Sequence, residues 1–287
     1  MASIANLLAS GRTFSFEFFP PKTEAAEAQL ERTLGELAPL EPSFVSITYG
    51  AGGTTRERTH DLVVKILRAT PITPMAHLTC AAHTDAELRA ILERYQDAGV
   101  ENVLALGGDP PPDLSLPPGD YRHAIELVEL IRSVGPFSVG VAAHPEGHPA
   151  SPDLASDRLH LSEKLLRADF AITQFFFRLD DYLRLVDDLS RLGVDRPVLP
   201  GIMPVTNVAQ VARFAQLSGA DFPVDLADRL HAVAGDADEV RRIGVEVATQ
   251  LCDDLLRLGA PGLHFYTLNR SPATRQIYAN LGLAARR

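Results

Sequence analysis

Cysteine is nearly absent from this sequence. Only Cys80 and Cys252 occur in 287 residues, too far apart for a CxxC zinc site and too few to staple a chain of this size. Reduced, buried thiols in a cytoplasmic protein are the expectation. Positive charge is also short: 27 Lys and Arg stand against 37 Asp and Glu, a formal net charge of −10. A duplex-binding protein needs a basic face to neutralise phosphates, so no nucleic-acid partner is expected, although a local basic pocket for one phosphorylated cofactor is compatible with the total. Apolar residues nowhere run for the roughly 18 positions of a membrane span. The start, MASIANLLASGR, has neither the basic leader nor the long apolar stretch of a signal peptide. No linker, low-complexity tract or repeat divides the chain, so residues 1–287 are expected to form one domain without a membrane partner.

What is present is an alternation of short apolar runs and amphipathic stretches. FSFEFFPPK (14–22) sets the pattern. Phe14, Phe16 and Phe18 alternate with Ser15 and Glu17 at the two-residue period of a strand. Pro20 and Pro21 end it, because neither donates a ladder hydrogen bond. Glu17 therefore lies near the strand's C-terminal end, on the face opposite the phenylalanines. FVSITYG (44–50), TPMAHLTC (73–80), NVLALGG (102–108), FSVGVAAH (137–144), FAITQFFF (170–177), PVLPGIMP (197–204) and LHFYTL (263–268) follow. Between most of them runs a helical period; DAELRAILERYQDAG (85–99) stacks Leu88, Ile91, Leu92 and Tyr95 on one stripe. Gly99, Gly135, Gly193 and Gly259 stand where left-handed helix ends are expected. Strand and helix alternating about eight times predict an α/β fold, a closed (β/α)8 TIM barrel, with about three extra helices in 207–260 between strands 7 and 8. The competing architecture is an open doubly wound sheet, but GAGGTT (50–55) lacks the GxGxxG spacing of its nucleotide turn.

Chemistry in such barrels gathers at the C-terminal strand ends, and here those ends are polar: Glu17, Thr48, Tyr49, His77, Thr79, Asp109, His144, Gln174, Asn269 and Arg270. Any single histidine or threonine among them is ordinarily a core residue with a local partner. So many on one rim point to a site. A carboxyl group partly desolvated beside aromatic rings suits proton donation near neutral pH. HPEGH (144–148) also gathers two histidines and a glutamate, as a metal-dependent hydrolase would. Pro145 and Gly147 break the helical spacing of HExxH, however, and no third ligand stands out, so no metal is expected.

Taken together, FSFEFFPPK, VSITYGAGG, HLTC, LALGGDPP, AAHPEGHP, ITQFFF, PGIMPV and HFYTLNR resemble the motifs of the 5,10-methylenetetrahydrofolate reductase family. They occur in that family's order and over nearly the whole chain. The resemblance implies a barrel holding FAD that reduces 5,10-methylenetetrahydrofolate with NAD(P)H, the two substrates using one site in turn, within the one-carbon metabolism that serves methionine biosynthesis. It also implies small-molecule partners and admits a homo-oligomer. Carried over by position, Glu17 is the general acid: the imidazolidine ring must open to an iminium before it accepts hydride, and protonating N10 promotes that opening. Asp109 matches the carboxylate that reads the pterin's aminopyrimidine edge near the flavin, and Gln174 the amide on that edge. Phe214 matches an aromatic stacked on the substrates, and Leu268 and Arg270 the reduced-nicotinamide contacts. Thr48, His77, Gly108, Asp109, Ala124, His144, His148, Asp157 and Lys164 fall on cofactor-binding positions, Lys164 as a diphosphate partner. From the residues alone, Phe214 reads as a core position of its helix and Lys164 as a solvated one.

The match departs on the flavin side. Gly107 stands where the family has an arginine, His144 where it has an aromatic, His123 where it has a tyrosine, and Glu163 where it has a basic residue. The chain is also about one residue shorter around Arg167 and Ala168. Two lost cations, at about 1.5–3 kcal/mol per charged hydrogen bond, would weaken FAD by roughly two to four decades. The expected route is hydride by way of FAD, which the resemblance favours; the alternative, which the substituted pocket positions favour, is hydride straight from NAD(P)H to the iminium in a ternary complex. A folate-binding protein without turnover is a third alternative, disfavoured because it has no use for an acid at Glu17.

Overall fold

The computed structural model describes residues 2–49, 53–108 and 119–283. Parallel strands close into a barrel in strict sequence order, β1 to β8. They are β1 (Thr13–Phe18), β2 (Phe44–Ile47), β3 (Thr73–Thr79), β4 (Asn102–Leu106), β5 (Ser138–Ala143), β6 (Phe170–Phe175), β7 (Val198–Ile202) and β8 (Gly262–Tyr266). Crossovers run through α2 (Glu24–Leu37), α3 (Gly53–Ala69), α4 (Asp85–Ala98), α5 (Ala124–Val134), α6 (Leu154–Leu165) and α7 (Leu179–Arg191). The β7–β8 connection carries three helices, α8 (Val208–Ser218), α9 (Val224–His231) and α10 (Ala237–Arg257), and α11 (Pro272–Asn280) follows β8. The closed barrel and the three-helix excursion are as the periodicity predicts, and the open sheet is excluded.

Strand alternation sorts the side chains into two layers. Phe16, Phe18, Val45, Ile47, Val103, Val139, Val141 and Phe265 join the apolar layer under the helices. Tyr278 of α11 fills the seam where β1 meets β8: its ring centroid lies 5.5 Å from those of Phe16 and Phe265 and 5.9 Å from that of Phe14. Each such pair adds about 0.5–1.5 kcal/mol beyond burial, so the alternating phenylalanines of β1 help to shut the ring. The opposite set fills the barrel itself. Phe44, Met75, Leu104, Phe170, Ile172 and Leu199 form its floor.

A helix that the sequence reading left unassigned, α1 (Ile4–Ser10), closes that floor from below with Ile4 and Leu8. The first N–H groups of a helix lack intrahelical acceptors, and here the barrel supplies them. Asn102 Oδ1 accepts from Ile4 N at 2.8 Å, and Ser138 Oγ accepts from Ala5 N at 3.1 Å. One expected helix end differs. Gly99, Gly193 and Gly259 are left-handed, with φ of 85°, 75° and 93°, whereas Gly135 is extended at φ −171°. Space at 135 is tight: a Cβ there would lie 3.2 Å from the Gln96 side chain and 3.3 Å from that of Phe137.

Asn102→Ala should strand the buried Ile4 N–H and lower stability by about 1–3 kcal/mol. Urea unfolding of the two proteins measures the difference.

Candidate active site

Above the apolar floor the barrel interior turns polar. Glu17 and Tyr266 are paired in register across β1 and β8, as are Glu17 and Ser46 across β1 and β2. The Glu17 side chain retains 17% of its exposure, enough to meet a small molecule while remaining inside the barrel. Its Oε2 is the focus of the cluster. Ser46 Oγ donates to it at 3.5 Å, and the Nε2 atoms of His77 and His264 both approach to 3.5 Å. The His77 nitrogen is close without hydrogen-bond alignment and has no hydrogen-bond partner among the described residues. Burial pushes His77 down to about 4 despite the nearby Glu17 carboxylate, so it is a neutral ring at physiological pH. His264 is fully buried, and its Nδ1 lies 2.8 Å from Ser15 Oγ.

Tyr266 links this cluster to the other side of the rim. Its hydroxyl donates to Thr173 O at 2.7 Å, next to Gln174 in β6. Gly201 makes room for the ring, since a Cβ there would sit 2.6 Å from Tyr266 Cε2. Burial and Glu17 hold the phenol well above its ordinary range, so it stays protonated. Gln174 continues the inward face of Phe170 and Ile172, and its Oε1 accepts from Phe175 N at 3.0 Å, where the β6–β7 register shifts. Phe214 of α8 and Leu268 are half-buried in an apolar cluster with Phe175, Met203 and Tyr266. The α8–α10 excursion thus brings Phe214 to the rim, combining the core reading of this residue with its candidate role. Leu268 and Asn269 are left-handed, at φ 51° and 55°, and the Arg270 side chain is exposed just beyond them.

The positions matched to the cofactor divide. Thr48 is half-buried, its N–H donating to Phe18 O at 2.9 Å, and Ala124 opens α5. Gly108 has φ 84°, and a Cβ would meet Thr79 Cβ at 2.8 Å. His144, His148, Asp157 and Lys164 gather beyond β5. Asp157 Oδ1 accepts from His148 N at 3.0 Å, and its other oxygen pairs with Arg158 at 2.9 Å. Arg158, buried at 3% exposure, also donates to the carbonyls of His144 and Pro145 at 2.9 and 2.6 Å. That guanidinium pins the HPEGH turn. Lys164 Nζ donates to Ala142 O at 3.0 Å, and burial pulls its ammonium below the ordinary value. Burial and then His148 push His144 down to about 4. At the start of α5, Glu126 accepts from the N–H groups of Arg122 and His123, both at 2.8 Å.

Asp109 lies outside the described residues, as do Gly50, Ala51 and Gly52 of the second motif. Within HPEGH, His144 and His148 pack edge-on, ring centroids 4.6 Å apart, while Glu146 accepts from Asp221 N. Ser15, Ser46, His264, Tyr266 and Arg158 were not singled out in the sequence. Alternation within LHFYTL places His264 and Tyr266 on one face, and extending the reading of Glu17 to its neighbours finds Ser15 and Ser46. No comparable signal marks Arg158, whose partners are carbonyls of an irregular turn.

His77 and His144 both sit near 4 against an ordinary 6.5. Between those values the unfolded chain binds protons that the folded one refuses. Stability should therefore be full above about pH 6.5 and decline as pH falls toward 4; thermal melting at stepped pH measures the slope, and His144→Asn should remove part of it.

A family model described as methylenetetrahydrofolate reductase matches residues 3–282. The 5,10-methylenetetrahydrofolate reductase of Escherichia coli K12 is 38% identical over 270 residues, covering 94% of this chain and 90% of that protein. Methylenetetrahydrofolate reductase (NADH) 1 of Arabidopsis thaliana is 35% identical over 296 residues, with 98% and 50% covered. Among solved structures, a Clostridium thermocellum protein that binds two copies of 5-methyl-5,6,7,8-tetrahydrofolic acid aligns with a TM-score of 0.66 at 14% identity, covering 98% of this chain and 97% of that one; at that identity it shows the fold alone. The chain belongs to the methylenetetrahydrofolate reductase family.

Proposed function

We propose that the polar end of this barrel is where the family's reaction, reduction of 5,10-methylenetetrahydrofolate by NAD(P)H, takes place, with Glu17 supplying the proton and hydride passing directly between the two substrates. The observation that carries the reading is Glu17 itself, an interior carboxylate that no arginine or lysine pairs with among the described residues. A general acid must reach its substrate without being locked into an ion pair, and Glu17 has no such cationic partner among the described residues. Protonation of N10 breaks its bond to the bridging methylene, and the electron pair leaves on N10. The iminium formed between the methylene and N5 then accepts hydride. Gln174 offers an amide to the pterin edge, Phe214 offers a ring for stacking, and Asp109, Leu268 and Arg270 keep the roles that the family motifs give them. The described residues build one barrel, which supports a single catalytic domain over 1–287. None of its described helices is long and apolar enough to cross a membrane.

Residues matched to a flavin persist at Thr48, His77, Gly108, Ala124, Asp157 and Lys164, but the diphosphate end fits FAD poorly. Lys164 is committed to Ala142 O, His144 is neutral, Arg158 is spent on Asp157 and two carbonyls, and Glu126 occupies N–H groups at the start of α5. A doubly charged diphosphate needs available donors, so no step is routed through a flavin. NAD(P)H is the reductant in this account.

Glu17→Gln should lower turnover by about 10²–10⁴-fold, the ordinary worth of a general acid, with folate binding retained in calorimetric titration. Unchanged turnover would remove Glu17 from the chemistry. Gently purified protein should show no visible flavin absorbance and should reduce folate without added FAD. A bound yellow chromophore whose removal abolishes activity would restore the FAD route.

A further inference from the structure

Three polar side chains lead from inside the barrel to one oxygen of Glu17. Ser15 Oγ lies 2.8 Å from His264 Nδ1, His264 Nε2 lies 3.4 Å from Ser46 Oγ, and Ser46 Oγ lies 3.5 Å from Glu17 Oε2. All three donors are fully buried, so none exchanges its partner for water. Among the described residues, the other acceptor within reach of Ser15 Oγ is Leu263 O at 3.5 Å. We assign the Ser15 hydroxyl hydrogen to the shorter of the two contacts, so that it donates to Nδ1. With Nδ1 accepting, the ring hydrogen on Nε2 points to Ser46, leaving the Ser46 hydroxyl to donate to Glu17. The imidazole is held in place by stacking on Phe44, 17° from parallel, and by the edge-on ring of Tyr266.

We propose that His264 is the positioning residue for the Glu17 acid, acting through Ser46 within a hydrogen-bonded chain directed from Ser15 to Oε2. The hydrogen bond from Ser46 and the shortest approaches of His77 and His264 all fall on Oε2 of Glu17. An oxygen that accepts hydrogen bonds is the carbonyl-like one, so the transferable proton sits on Oε1. On protonation of N10 the proton leaves Oε1, the Glu17 carboxylate forms, and the chain stabilises the new charge through Oε2. The groups facing Glu17 are Ser46 from β2, His77 from β3, and His264 and Tyr266 from β8.

This proposal rests on Glu17 being the acid, and the variants separate the two claims. His264→Leu, His264→Gln, Ser46→Ala and Glu17→Gln are compared with wild type for kcat, folate KM and pH profile, using methylenetetrahydrofolate and NADH. His264→Leu should lose about 10- to 100-fold in kcat, the scale of a misplaced catalytic group, while folate KM stays within about 3-fold. Its alkaline limit should move to higher pH, because the carboxylate form has lost a donor chain. His264→Gln should recover most of the rate, since its amide can donate to Ser46. Ser46→Ala removes only the last hydroxyl and should shift the profile in the same direction, which keeps the test decisive if His264→Leu does not fold. Equal losses in Leu and Gln variants, or a Ser46→Ala profile that does not move, would reduce His264 to a packing residue and overturn the proposal. Undiminished turnover in Glu17→Gln would instead overturn the acid assignment beneath it.

Discussion

A carboxyl group held inside a closed barrel is the constraint around which this structure is arranged. Taking a charge out of water costs several kcal/mol unless partners offset it. The partners offered to Glu17 are a hydroxyl and two imidazoles, with no guanidinium or ammonium among the described residues. Arginine is plentiful in the chain, and it satisfies the buried Asp157 through Arg158. Its absence from Glu17 sets this carboxyl group apart from that of Asp157 and suits the proton-donor role proposed for it.

The barrel can keep such a group because its interior has two zones. The floor is apolar and is plugged by Ile4 and Leu8 of α1, whose free N–H groups are satisfied by the first residues of β4 and β5. Water therefore reaches the polar zone from the rim. There the closed ring sets β1 beside both β2 and β8, so residues distant in sequence surround one carboxyl group. Tyr266 connects them to β6, and the α8–α10 excursion adds the apolar cluster that contains Phe214. The proposed reaction assigns to this end of the barrel an amide from Gln174, a ring from Phe214 and an acid from Glu17.

Much of this was legible in residue order. Two-residue alternation in FSFEFFPPK places Glu17 opposite its phenylalanines, because pleated backbone geometry leaves no other arrangement. The helical periods and the long stretch from 207 to 260 predict the crossovers and the extra helices. What escaped was set by tertiary closure. The heptapeptide α1 is too short to declare itself by periodicity, and its role as a floor exists only once the strands form a ring. Gly135 has the sequence look of a left-handed helix end but is extended, close against Gln96 and Phe137. His264 and Ser46 gain their significance by meeting Glu17 across strands. Lys164 has the right position for a diphosphate, yet its ammonium is turned to Ala142 O, a commitment no sequence pattern encodes.

The most direct measurement is a crystal structure of the protein with 5-methyltetrahydrofolate bound. The account predicts the pterin at the barrel rim, its edge against the Gln174 amide, its ring near Phe214, and Glu17 Oε1 within hydrogen-bonding reach of N10. A folate seated away from β1, with Glu17 too far from N10 to pass a proton even through one water, would contradict it.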